Sequence, residues 1–123
     1  MTGKLLICNS GKQDIASIVQ LLTSEKYQVD ISLQPFDALQ KLASSSFMVM
    51  IISIHSGESN WLDMIPLLNT LHPQLPVIVV TDDGSLETER IARRGRIFYY
   101  LMKPIEEKEL KAVLRDAWKK NQN

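Results

Sequence analysis

No apolar run in this sequence approaches the roughly 20 residues that a membrane-spanning helix requires. The N-terminus turns polar at Asn9, too early for the apolar core of a signal peptide. Neither sign of charge is in excess, because 14 basic and 14 acidic residues cancel. Without a basic surplus there is no electrostatic reason to expect nucleic acid or an anionic membrane as a partner. A second cysteine is missing as well. Cys8 therefore cannot form an internal disulfide, and inside an apolar strand-like run it reads as a small buried hydrophobe rather than a reactive thiol. Repeats, low-complexity stretches and internal linkers are also lacking. What remains is a cytoplasmic protein of one domain, residues 1–123, with a polar tail from about residue 121. Hydrophobic residues make up 45% of it, enough for a packed core.

The apolar residues that are present fall into short, evenly spaced segments. "KLLIC" (4–8), "YQVDIS" (27–32), "FMVMIISI" (47–54), "PVIVVT" (76–81) and "IFYYLM" (97–102) are rich in β-branched or aromatic types and bounded by polar residues. They predict five strands. Three are nearly continuous apolar runs, as strands covered on both faces require, which points to a parallel sheet between helix layers.

Between them the period becomes helical. Ile15, Ile18, Val19 and Leu22 follow Asp14, a candidate cap. Pro35 opens a second helix with Phe36, Leu39, Leu42 and Ala43 along one side. A third carries Leu62, Ile65, Leu68 and Leu71 and ends at His72-Pro73. Pro66 favours a late start with Asp63 as the cap, which leaves residues 55–61 as a long loop. The fourth follows Ser85 and stops at Gly95. The fifth runs from about Glu106 to Lys120, with Leu110, Val113, Leu114, Ala117 and Trp118 facing inward, acids first and lysines last. Five βα units joined by right-handed crossovers give an α/β, three-layer, doubly wound five-stranded parallel sheet. Ligands of such folds sit at the C-terminal strand ends.

Those ends carry Asn9 and Ser10, then Ser53, then Thr81 and Asp82, then Lys103-Pro104. Here residues 4–120 resemble the receiver domain of bacterial two-component response regulators. "PVIVVT" and "YYLMKP" carry the resemblance most specifically, with Thr81 and Lys103 at the family's hydroxyl and lysine positions and Tyr100 three residues before the lysine. The resemblance implies a flavodoxin-like, CheY-like fold with strand order 2-1-3-4-5 and a cis peptide between Lys103 and Pro104. It also implies an acidic pair after the first strand and an aspartate ending the third, which together hold Mg²⁺ while the aspartate accepts a phosphoryl group from a histidine kinase. Mg²⁺ wants hard anionic oxygens, and an acyl phosphate needs a carboxylate nucleophile. Asn9, Ser10 and Ser53 stand at those three positions, so all three carboxylates are gone.

The site Asn9, Ser10, Ser53, Thr81 and Lys103 thus reads as a degenerate phosphorylation site, with no catalytic residue, metal or cofactor expected. A serine hydroxyl is a weak nucleophile without an adjacent base, and His55 reads as an exposed loop residue. Lys103, deprived of its acids, is expected to reach Asp82 or Asp83 or to turn to solvent. "CNSGK" (8–12) is not a phosphate loop, because the upstream glycine is missing and Gln13 follows Lys12. A small-ligand site of flavin or nucleotide type, using Ser10, Ser53, Thr81 and Lys103, is the alternative.

Protein contacts are the function left to a receiver that is not phosphorylated. The family resemblance implies a docking face built from the fourth helix, fifth strand and fifth helix. In this chain it holds Arg90, Arg93, Arg94, Tyr99, Tyr100, Lys111 and Arg115. Arginines around an aromatic strand suit an interface; a solvated helix beside an edge strand is the plainer account of the same residues. Gly95 lies one residue further from Lys103 than the family's spacing implies, so the loop into the fifth strand is expected to differ. The expected partner is a regulator, a kinase, an output domain or a second copy, with no nucleic acid and no membrane. The chain is not expected to be an enzyme.

Overall fold

The computed structural model describes residues 4–10, 15–55 and 60–122. Five strands form one parallel sheet: β1 (Lys4–Cys8), β2 (Gln28–Ser32), β3 (Val49–Ile54), β4 (Val77–Thr81) and β5 (Tyr99–Met102). Their order is β2-β1-β3-β4-β5, as the family resemblance implies. Six helical segments connect and follow them: α1 (Ala16–Ser24), α2 (Pro35–Ser44), α3 (Asn60–Asp63), α4 (Ile65–Leu71), α5 (Leu86–Ala92) and α6 (Glu107–Gln122).

Strand alternation divides the core into two layers. Leu5, Ile7, Val49, Ile51, Ile78, Val80 and Leu101 pack under α1 and α6. Leu6, Cys8, Met50, Ile52, Ile54, Val77 and Val79 pack under α2, α3, α4 and α5. β3 is buried at all six positions, which explains its unbroken apolar run. Burial pushes the Cys8 thiol far above its ordinary range, so it is inert and serves packing.

The third helical region differs from expectation. It is neither one helix from Asn60 nor a late helix capped by Asp63. A single turn, α3, ends at Asp63, Met64 intervenes, and α4 begins at Ile65 with Pro66 in its first turn. The cause is local. Pro66 has no N–H to give the Leu62 carbonyl, and its ring crowds that carbonyl. The loop after β3 is correspondingly shorter, and Trp61, expected in it, is 1% exposed and part of the core. Burying an indole of this size is worth roughly 3–5 kcal/mol against alanine.

Smaller corrections follow the same logic. In α2 the buried positions are Ala38 and Leu42, with Leu39 partly buried, while Phe36 is 69% exposed and Ala43 is exposed. Leu71, expected in the core, is exposed at the end of α4. α5 stops at Ala92 rather than running on to Gly95. Gly95 has a different task. A Cβ there would lie 2.6 Å from Ile65 Cγ2 and 3.1 Å from the Pro66 nitrogen, so glycine lets the loop before β5 press against α4. Asn69 completes that junction, donating to the Arg96 carbonyl at 3.0 Å and accepting from the Arg96 N–H at 2.6 Å. The proposed Asp14 cap lies outside the described residues. The Ser85 cap is present, its Oγ accepting from the Thr88 N–H at 3.2 Å.

Candidate functional site at the strand ends

Parallel register brings the strand ends to one edge. Cys8 pairs with Ile52, so Asn9 falls beside Ser53 one step on; Ser53 pairs with Val80, and Thr81 pairs with both Ile54 and Met102. Alternation then sorts the side chains. Asn9 and Ser53 share the parity of Ile7 and Ile51 and face the α1–α6 layer. Thr81 shares that of Val79 and faces the other layer. Asn9 is buried and its N–H donates to the Ser32 carbonyl at 3.1 Å, whereas Ser10 is exposed.

Ser53 is 0% exposed, and its Oγ has no hydrogen-bond partner among the described residues. Thr81 is bonded: its Oγ1 accepts from the Asp83 N–H at 3.0 Å. The Asp83 carboxylate accepts in turn from the Ser85 N–H at 2.9 Å and from the Thr88 hydroxyl. These bonds satisfy the first-turn groups of α5 and fix it to β4. Asp82 is engaged by His55, whose Nδ1 lies 2.8 Å from Asp82 Oδ2 and joins the ends of β3 and β4.

Lys103 therefore does not reach Asp82 or Asp83. It is half-buried, its backbone N–H donates to the Thr81 carbonyl at 2.8 Å, and its ammonium makes no hydrogen bond or ion pair among the described residues. The Lys103–Pro104 peptide is cis.

A family model for the response regulator receiver domain matches residues 5–115. The chain belongs to this family. Among curated relatives it is 26% identical to the transcriptional regulatory protein ZraR of Klebsiella oxytoca over 79% of its own length and 22% of that protein's. It is 28% identical to the response regulator protein PilR of Pseudomonas aeruginosa over 66% of its length and 18% of that protein's. The chain thus spans only about a fifth of these relatives. Among solved structures, the signal receiver domain of an HD domain-containing protein from Pseudomonas fluorescens Pf-5 superposes with a TM-score of 0.87 at 25% identity, covering 99% of this chain and 98% of that one. A CheY-like receiver domain from Methanospirillum hungatei JF-1 gives 0.85 at 21% identity, with the same coverages.

Of the receiver's expected docking residues, the structure brings one group together and separates another. Arg90, Arg93 and Arg94 lie on or just after α5, next to β5. Arg90 pairs with Glu87 at 3.2 Å and Arg93 with Glu89 at 2.9 Å. The Arg93 guanidinium also lies 5.8 Å from the Tyr100 ring centre. Tyr100 turns its hydroxyl into the core without a partner among the described residues. Burial raises its pKa, with Glu89 and Asp83 adding to the shift. Tyr99 is 42% exposed, and Leu86 and Met102 are exposed nearby. Lys111 and Arg115 do not belong to this surface. Lys111 bridges to Glu25 of α1 at 3.4 Å and to Glu107 at 3.0 Å, and Arg115 lines a cleft with Leu21, Glu25 and Tyr27. They sit on the α1 side of α6 because α6 turns its Leu110, Val113 and Leu114 stripe to the sheet.

Three arrangements escaped the sequence: the His55–Asp82 pair, the Asp83–Ser85–Thr88 network and the Asn69–Arg96 clamp. "TDDGS" (81–85), dense in turn formers, signalled the second. The other two join residues 27 apart, and no local pattern announces them.

No helix among the described residues is long and apolar enough to cross a membrane.

Proposed function

We propose that this receiver acts without phosphorylation, as a pseudo-receiver whose output is a protein–protein contact. The observation that carries the reading is Ser53, which is fully buried, with a hydroxyl that has no partner among the described residues, where the family resemblance calls for a carboxylate nucleophile. An acyl phosphate cannot form on a hydroxyl. A serine ester would need a base in contact with Ser53 Oγ to take its proton, and that hydroxyl has no hydrogen-bond partner among the described residues. The donor set does not fit Mg²⁺ either. Asn9 offers an amide, and Ser10 and Ser53 offer hydroxyls, where this hard cation favours carboxylate oxygens. On this reading the domain is not an enzyme and works within a bacterial two-component system in the cytoplasm.

The contact surface we assign is α5 with β5: Arg90, Arg94, Tyr99 and the Arg93–Tyr100 stack, framed by exposed Leu86 and Met102. Aromatic and arginine residues beside apolar ones suit an interface core and rim. Its occupant is a regulator, kinase, output domain or second receiver. The test is capture on the immobilised domain, with and without acetyl phosphate and Mg²⁺. Capture should be equal in both conditions and should be lost with the Arg94→Ala, Tyr99→Ala double variant. Capture that depends on the phosphodonor, or that survives the double variant, would remove the reading or the face.

A further inference from the structure

We infer that the groove between α1 and the connection from β5 to α6 binds a small organic anion with an apolar body, of the aliphatic or aryl carboxylate class. The groove holds about 320 Å³ and is lined by Ser17, Ile18, His55, Lys103, Pro104 and Ile105. That volume is near the lower bound of roughly 300 Å³ for small-molecule pockets, so it admits a compact ligand and not a flavin or dinucleotide.

One idle polar group lines the groove. Lys103 is a half-buried residue whose ammonium has no partner among the described residues. Ser53, whose hydroxyl has no partner among the described residues, lies on the same face of the sheet at the end of β3 but is buried away from the groove lining. A cation partly withdrawn from water is costly until an anion joins it. The neighbouring carboxylates do not serve: Asp82 is held by His55, and Asp83 by Ser85 and Thr88. No described residue pairs with the Lys103 ammonium, and the proposed counter-ion comes from outside the chain. The walls set the rest of its chemistry. Ile18, Pro104 and Ile105 offer apolar surface, with Ile18 in the core layer and Ile105 packed against it. A bare oxyanion would leave that surface wet, whereas a carboxylate on an apolar body covers it. The inference rests on the pseudo-receiver reading in one respect, that no phosphoryl group on residue 53 takes Lys103.

The test is an NMR titration of the full chain with benzoate, hexanoate, acetate and inorganic phosphate. Benzoate and hexanoate should shift the amides of Ile18, Lys103 and Ile105 saturably, at least ~10-fold more tightly than acetate or phosphate, since each 1.4 kcal/mol of added apolar contact is tenfold. Lys103→Met should weaken benzoate by a similar factor, and Ile105→Ala should weaken benzoate but not acetate. Lys108→Met, on the first turn of α6, should change nothing. Equal affinity for all four anions, benzoate binding indifferent to Lys103→Met, or shifts that scatter without saturating would each overturn the proposal. Failure here is distinct from failure of the pseudo-receiver reading, which is decided by the mass of the domain after exposure to a phosphodonor.

Discussion

The two sides of the strand-end crevice are built differently. On the β4 side, hydrogen bonds link Thr81 to Asp83 and Asp83 to Ser85 and Thr88, and they hold α5 in place. By contrast, Ser53 at the end of β3 and Lys103 just after β5 have no side-chain partner among the described residues. Groups that support the fold are satisfied, whereas these two are not. On the pseudo-receiver reading proposed above, the difference separates scaffold from chemistry.

The bonded side should be the easier to break, and its far end most of all. Gly95→Ala drives a Cβ into Ile65 and the Pro66 backbone, and overpacking of this kind costs up to about 3 kcal/mol. Urea denaturation should show it as a lower midpoint with an unchanged slope. Asp83→Ala comes next. It strips the acceptor from the Ser85 N–H and the Thr88 hydroxyl, a loss of about 2 kcal/mol for bonds to a charged group, and amide exchange along α5 should accelerate. The idle side should respond with the opposite sign. Ser53→Ala removes a buried hydroxyl that has no partner, so thermal unfolding should report a gain of about 1 kcal/mol. A loss of stability would mean that Ser53 is bonded after all, and the contrast would collapse.

The smallest effect is expected at Tyr100, and it depends on pH. Burial raises its pKa, so the folded state holds the phenolic proton more tightly than the unfolded state does. That contribution is complete below the unfolded tyrosine value of about 10 and fades as the pH rises through the folded value. Tyr100→Phe should flatten the alkaline limb of a stability–pH curve while leaving neutral stability within about 1 kcal/mol. Tyr27, raised mainly by burial with a further push from Glu25, should supply a residual slope in the variant.

Much of this contrast was legible in the residues alone. Five short apolar runs with helical periods between them define the elements of the sheet, because strand alternation and helix periodicity are local properties; the strand order came with the family resemblance. Asn9, Ser53, Thr81 and Lys103 could be placed at the strand ends because parallel topology sends every C-terminus to one edge. What escaped was set by tertiary fit. Pro66 announced a break but not its place, since the outcome turned on which carbonyl lost its donor. Gly95 looked like a helix stop, yet its value lies in the closeness of α4. The family resemblance groups Lys111 and Arg115 with Tyr99, whereas the rotation of α6 about its apolar stripe sends them toward α1. Lys103, short of the family's acids, is expected to reach Asp82 or Asp83 or to turn to solvent; the two aspartates take other donors, which only the folded strand ends reveal.

The most direct test of the central claim is the intact mass of the domain after incubation with acetyl phosphate and Mg²⁺, read beside the triple variant Asn9→Asp, Ser10→Asp, Ser53→Asp. The wild-type chain should remain at its unmodified mass, while the variant, its carboxylates restored around Thr81 and Lys103, should gain one phosphoryl group. A phosphoryl adduct on the wild-type chain, mapped to Ser53 or its neighbours, would contradict the account.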